Sequence, residues 1–112
     1  MVKPVIRPVS QYSRDALRLL GQLIREGRLA KSLTTTDLAS RAGISRALLQ
    51  RIERGDPGCS IGAVFETAAI CGVPLFEPDE RSLAVHLVRH SEKLALLPKS
   101  VRNANKGVKD DF

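Results

Sequence analysis

The chain is short of the features that mark several large classes of protein. It has only two cysteines, Cys59 and Cys71, which form no CxxC pair and fit no metal-ligand spacing. In a reducing compartment such thiols serve as small buried hydrophobes. No apolar run approaches the roughly 20 residues that a membrane-spanning helix needs. The opening MVKPVIRPVSQ carries two prolines and no apolar h-region, so no signal peptide is expected and the cytoplasm is the expected location. There is no glycine-rich phosphate loop, nucleophile elbow, HExxH pair or paired-carboxylate constellation. The expectation is a protein without catalysis, cofactor or metal. Repeats and β-hairpin signals are lacking too. What remains is a chain of 112 residues, 43% hydrophobic, long enough for one domain with a core of its own.

Charge is present in excess of one sign, and it is concentrated. Residues 1–54 hold 11 Lys/Arg against 4 Asp/Glu, whereas residues 55–112 hold 7 against 8, within a net charge of +6. A basic half on a small domain points to a polyanion, but a solvated basic face is as common, so the charge needs a motif beside it.

Periodicity gives an all-α reading of five helices. An extended arm is expected over 1–12, where Pro4 and Pro8 each fix φ and remove a donor; VIRPV could also make a short edge strand, though Pro8 argues against a central one. A first helix is expected from about Ser13, its cap, to Gly27, with Leu17, Leu20 and Ile24 forming one apolar stripe. The second runs about Thr35 to Ala42. Thr34 and Asp37 make a capping box with Asp in place of Glu, and Gly43 stops it by taking positive φ. The third runs from about Arg46 to Arg54, capped by Ser45, with Leu49 and Ile52 inward and turn-forming Gly55-Asp56-Pro57-Gly58 behind it. The fourth follows Ser60, with Ile61, Val64, Phe65, Ala68 and Cys71 inward, closed by Gly72 and Pro74. The fifth opens at Pro78 and ends before Pro98. Residues 98–112 have no periodicity and few apolar groups, and a disordered tail is expected there. The domain expected between arm and tail is 13–97.

The informative stretch is 35–54. Two short helices joined by a three- or four-residue turn containing glycine define a helix-turn-helix. The geometry demands a small residue where the helices cross (Ala39), a positive φ at the turn (Gly43), and apolar Ile44, Leu49 and Ile52 to set the second helix at its angle. All five are present in register.

With LGQLIREGR, SLTTTDLASRAGIS and ALLQRIERGDPG, the region from about Leu20 to Leu75 resembles the Cro/cI-type (XRE) helix-turn-helix family of bacterial and phage repressors. The resemblance implies a five-helix, lambda-repressor-like fold whose third helix enters the major groove of DNA. One departure is Thr35, where the family usually has Gln. A threonine hydroxyl still reaches phosphate, at shorter range. The flanking RPVSQYSRDA, GDPGCSIGAVFETAAICGVPLF, LALLPKSVR and terminal DDF look like a subset of HipB-like antitoxins, which act beside a HipA-type serine kinase toxin. That subset implies a homodimer, a HipA-like toxin partner and a nucleoid-associated, cytoplasmic repressor.

On such a docked helix, side chains near the N-terminus reach base edges. Arg46 can bond guanine O6 and N7, Gln50 can bond adenine N6 and N7, and Ala47 can meet a thymine methyl. Ser45 and Thr35, at helix starts, are assigned to phosphate, as are Arg51 and Arg54. Arg54 could instead pair with a carboxylate of its own fold, Arg41 could pair with Asp37, and Arg25 and Arg28 read as solvated charges. For dimerisation, Leu83, Leu87, His90, Leu94 and Leu97 fall at the 4-3-4-3 spacing of a coiled-coil strip, which could alternatively pack on the first helix. His86 and His90, four apart, fit a metal spacing, but no further ligand is placed in sequence, so a packed or interface histidine is the reading kept. In the tail, Asp110, Asp111 and Phe112 are assigned to a toxin contact. Besides the antitoxin reading stand a free-standing phage-type or host repressor and an interaction module of the same fold that does not bind DNA. Retained base-reading side chains argue against the last.

Overall fold

A computed structural model describes residues 9–101. Among these residues are five α-helices and no strand, as the periodicity predicts: α1 (Gln11–Ala30), α2 (Thr35–Ala42), α3 (Arg46–Glu53), α4 (Ile61–Ile70) and α5 (Glu80–Ala95). None of them is long and apolar enough to cross a membrane. Most of the expected arm, and the tail residues Asp110, Asp111 and Phe112, lie outside the described residues. The chain divides into two compact units, Met1–Leu75 and Phe76–Phe112.

The first unit holds α1 to α4. Helix α1 is longer at both ends than the sequence reading. Its cap is Ser10, whose Oγ accepts from the Ser13 amide at 3.2 Å, so Ser13 is the donor inside the first turn and not the cap. At the other end α1 runs through Gly27 to Ala30. Gly27 is there for its lack of a side chain: a Cβ at that position would overlap the carbonyl oxygen of Cys71 at the end of α4. Gly21, on another side of α1, plays the same part against α3, where a Cβ would come within 2.6 Å of the Glu53 carbonyl oxygen. Two glycines thus let α1 seat against two helix ends at backbone contact, a density that interiors favour.

Local rules set α2 and α3. The capping box is complete: Thr34 Oγ1 accepts from the Asp37 amide at 3.0 Å, and Asp37 Oδ2 accepts from the Thr34 amide at 3.1 Å. Gly43 ends α2 with φ of 69°, where an L side chain would be strained. Ser45 caps α3 by accepting from the Leu48 amide at 3.0 Å.

In α4 the sequence reading needs two corrections. Ser60 stands at the cap position without a side-chain cap bond. Ile61, expected inward, is 71% exposed, while Thr67, not expected inward, is fully buried. A threonine can take a core position because its hydroxyl donates to the Ala63 carbonyl at 2.7 Å, satisfying it within the helix.

The core of this unit is Ile24, Leu38, Leu49 and Ala68, all fully buried, with Ala39, Ile52 and Cys71 nearly so. Each large aliphatic among them contributes about 1.5–3 kcal/mol on burial. It therefore joins one residue of α1 to the inner faces of α2, α3 and α4.

The second unit holds α5. Its cap is Asp79, whose Oδ1 accepts from the Ser82 amide at 2.8 Å, so the helix opens after Pro78 and not at it. No residue of α5 is buried.

Candidate nucleic-acid interface

The inner face of α3 is fixed by Leu49 and Ile52, at 0% and 3% exposure. Helical geometry then dictates what points away. Arg46, Ala47 and Gln50, the three side chains assigned to base edges, are all exposed, and they occupy the N-terminal and central part of the helix. Ser45 is exposed at the α3 N-terminus. Its oxygen is engaged in capping, and its hydroxyl proton stays available to an anion, where the helix dipole adds a favourable field.

Thr35 opens α2 and is half-buried. It lines, with Gln50, Arg25, Arg54, Arg28 and Glu53, a notch of about 260 Å³. Polar donors from three helices meet there, at one flank of the exposed α3 face. A second notch, of about 460 Å³, is lined by Arg14, Arg18 and Arg54 with Gly55, Asp56 and Pro57. Arg54 belongs to both. The structure thereby adds Arg14, Arg18 and Arg25 to the candidate anion contacts. Of these, sequence spacing read Arg25 as a solvated charge, because it cannot show that the α3 end lies beside it.

Two arginines have partners inside the fold. Arg28, read from sequence as a solvated charge, is a buried clamp, 8% exposed. Its Nε donates to Glu53 Oε2 at 2.8 Å, one Nη donates to Glu53 Oε1 at 3.2 Å, and the other donates to the Leu33 carbonyl at 3.0 Å. The side chain ties the end of α1, the end of α3 and the segment before α2 together. The bond to Glu53 raises the guanidinium pKa further, outweighing the opposing effect of burial. Arg51 donates from Nε to Asp56 Oδ2 at 2.9 Å, which lowers the Asp56 pKa, and Asp56 Oδ1 also accepts from the Gly58 amide at 2.7 Å. The Arg51 side chain is 41% exposed, and Asp56 holds the Nε edge of its guanidinium. The Asp37 pKa is lowered chiefly by the Thr34 backbone and side-chain bonds, with Arg41 adding a small pull. The thiol pKa values of Cys59 and Cys71 are raised by burial, which suits packing and not reactivity.

In the second unit, Leu83, Leu87, Leu94 and Leu97 are 41%, 66%, 67% and 50% exposed, and His90 is exposed with them. A further apolar groove of about 370 Å³ runs along Ala84, Val85 and Val88, rimmed by Arg89 and Glu92.

A search of curated proteins finds no match to the chain. Among protein families, the one described as a helix-turn-helix domain matches residues 19–84, more than half of the chain. With the capped α2, the left-handed glycine and the outward face of α3 in place, the chain belongs to the helix-turn-helix domain family, of the Cro/cI type, a DNA-binding family.

Proposed function

We propose that the protein is a sequence-specific transcriptional repressor that binds operator DNA as a homodimer. The observation that carries this reading is the joint exposure of Arg46, Ala47 and Gln50 over the buried pair Leu49 and Ile52. In the major groove that face offers one guanine reader, one thymine-methyl contact and one adenine reader. Thr35, Ser45, Arg51 and Arg54 grip flanking phosphates, and Arg14, Arg18 and Arg25 extend the grip along α1. One copy reads half a site. A second copy supplies the other half, one helical turn away, and the exposed leucine strip of α5 is the surface for that pairing. Such a protein works in the cytoplasm on the nucleoid and has no catalytic step.

Within this reading we place the chain as the autoregulating antitoxin of a HipA-type kinase toxin. Support comes from the HipB-like stretches before, within and after the core, and from α5, which carries an apolar groove besides its leucine strip. A kinase-like reading frame beside the gene separates this from a free-standing phage-type or host repressor.

The test of DNA binding is its salt dependence on the protein's own promoter, followed by fluorescence anisotropy. Each neutralised phosphate contributes a log–log slope of roughly −0.9, so a dimer with about eight contacts loses on the order of a thousandfold affinity or more between 50 and 200 mM salt. An affinity flat in salt, or none for duplex DNA, leaves the interaction-module reading in its place.

A further inference from the structure

The two histidines of α5 converge more closely than their spacing requires. His86 Nε2 and His90 Nε2 lie 3.0 Å apart, with the rings stacked at a centroid distance of 4.6 Å and 23° between their planes. Behind them Glu77 Oε1 stands 2.8 Å from His86 Nδ1. An ionised carboxylate only accepts, so this bond holds the imidazole proton on Nδ1. The Nε2 of His86 therefore presents its lone pair toward His90. Both rings are open to solvent, His86 being 52% exposed.

This is the arrangement of two cis ligands with a carboxylate orienting one of them. Metal–imidazole bonds of about 2.05 Å spanning that separation enclose an angle of about 94°. A right angle suits a tetragonal or octahedral ion and falls well short of the tetrahedral angle of structural zinc. We infer that His86 and His90 form a two-histidine site for a divalent ion of tetragonal preference, Cu(II) or Ni(II), with Glu77 orienting His86 from behind. Among the described residues no group of three or more His, Cys, Asp and Glu converges, so these residues offer the ion two imidazole ligands. On loading, the ion takes the place of the proton between the two Nε2 atoms. His90 then carries its proton on Nδ1, and two neutral rings release no proton. The carboxylate behind His86 fixes that ligand's tautomer and ring orientation, as such partners do at metal sites. Because the ligands stand four residues apart on one helix, the bound ion bridges one turn of α5 and binds its helical form in preference to its unfolded form.

The experiment is a calorimetric titration of the untagged full chain with nickel chloride, paired with copper(II) electron paramagnetic resonance. The expected result is one ion per chain, a copper signal split by two nitrogens, and a higher melting temperature for α5 with nickel present. His90→Asn and His86→Asn each weaken nickel binding at least tenfold, since each removes a ligand. Glu77→Gln removes no ligand and weakens it roughly tenfold through the lost orientation. Glu92→Gln, on the same helix, leaves it unchanged. Circular dichroism shows whether α5 is still helical in each variant, and His90→Gln replaces His90→Asn if it is not. Nickel affinity unaltered by loss of either histidine, or no saturable binding by the parent chain, overturns the site. Equal losses in Glu77→Gln and Glu92→Gln overturn the orienting role.

Discussion

Helices α3 and α5 belong to different units and contrast in what they bury. With 8 residues, α3 is too short to persist by itself, yet its inner face is fully buried and both its ends are pinned, by the Ser45 cap and by the Arg28–Glu53 clamp. With 16 residues and its own Asp79 cap, α5 has no buried residue, and its leucines stay exposed. The difference separates two kinds of surface. The outward face of α3 is polar and is held in place by apolar groups beneath it, so it is rigid before any partner arrives. The exposed face of α5 is itself apolar, with Leu83, Leu87 and Leu94 open to solvent among the described residues, the kind of surface that marks an interaction site. On the proposed function, recognition of DNA and pairing of copies draw on separate units, and substitutions in the two should have separable consequences.

The largest effect is expected from breaking the clamp of the first unit. Arg28→Met leaves Glu53 with a carboxylate largely cut off from water and no counter-charge, and removes the donor to the Leu33 carbonyl. Losing one partner of a buried pair costs about 3–5 kcal/mol. Urea unfolding should show that loss, together with loss of DNA binding on every sequence. A variant as stable as the parent would mean that the clamp is not what fixes the end of α3. Arg28→Met with Glu53→Met should recover much of the stability, because two apolar groups of similar volume leave no charge behind.

In the second unit, Leu87→Asp or Leu94→Asp should leave unfolding of the α1–α4 core unaltered while turning the protein into a monomer that binds operator DNA poorly. An unpaired charge in an apolar seam costs several kcal/mol. Analytical ultracentrifugation gives the oligomeric state and urea unfolding the core stability. If stability falls and the dimer persists, the strip is part of the monomer's packing and the contrast between the units is lost.

These expectations divide along the line between what sequence shows and what it hides. The capping box at Thr34, the left-handed Gly43, the Ser45 cap and the inward pair Leu49 and Ile52 were legible because each depends on neighbours within four residues. So was the outward set Arg46, Ala47 and Gln50, which follows from the inward pair. Arg28 was read as solvated because its partner Glu53 lies 25 positions away and nothing local points to it. Gly27 looked like a helix end because close approach by Cys71 is a tertiary fact. Ser10 and Ser13 are equally good caps by type, and only the backbone at Ser10 decides between them. Ile61 and Thr67 changed places because the apolar pattern counts a threonine as polar, although its own helix satisfies its hydroxyl.

A smaller effect is expected from the α3 face itself. If they read bases as proposed, Arg46→Ala and Gln50→Ala should each cost about 1–3 kcal/mol on the specific operator, with little change on random DNA. Arg14→Ala and Arg18→Ala, in the second notch, should weaken both kinds of DNA alike and flatten the salt slope if they meet phosphate as proposed. Competition anisotropy with operator and random duplexes measures all four. Equal losses on both duplexes for Gln50→Ala would move that residue to the phosphate set.

The smallest effect lies in the helix caps and separates the two units by pH. Asp37 in α2 and Asp79 in α5 both have pKa values lowered by the amides and hydroxyls they accept from. A carboxylate whose pKa is lower in the folded state than in the unfolded chain stabilises the fold above the unfolded value, near 4. That contribution disappears as pH falls through the folded value. Acidification below about pH 4 should therefore weaken both caps, but with different readouts. For Asp37 the loss passes into the whole first unit, because α2 shares its core through Leu38 and Ala39. The urea midpoint of that unit should fall with pH, and less steeply in Asp37→Asn than in the parent. Thr34→Ala, which removes the other half of the box, should cost about 1 kcal/mol at neutral pH. For Asp79 the loss stays in α5, which has no buried residue through which to pass it on. Asp79→Asn should reduce the pH dependence of helix content without moving the urea midpoint of the core. If Asp79→Asn shifts that midpoint as much as Asp37→Asn does, α5 is coupled to the core and the two units unfold as one.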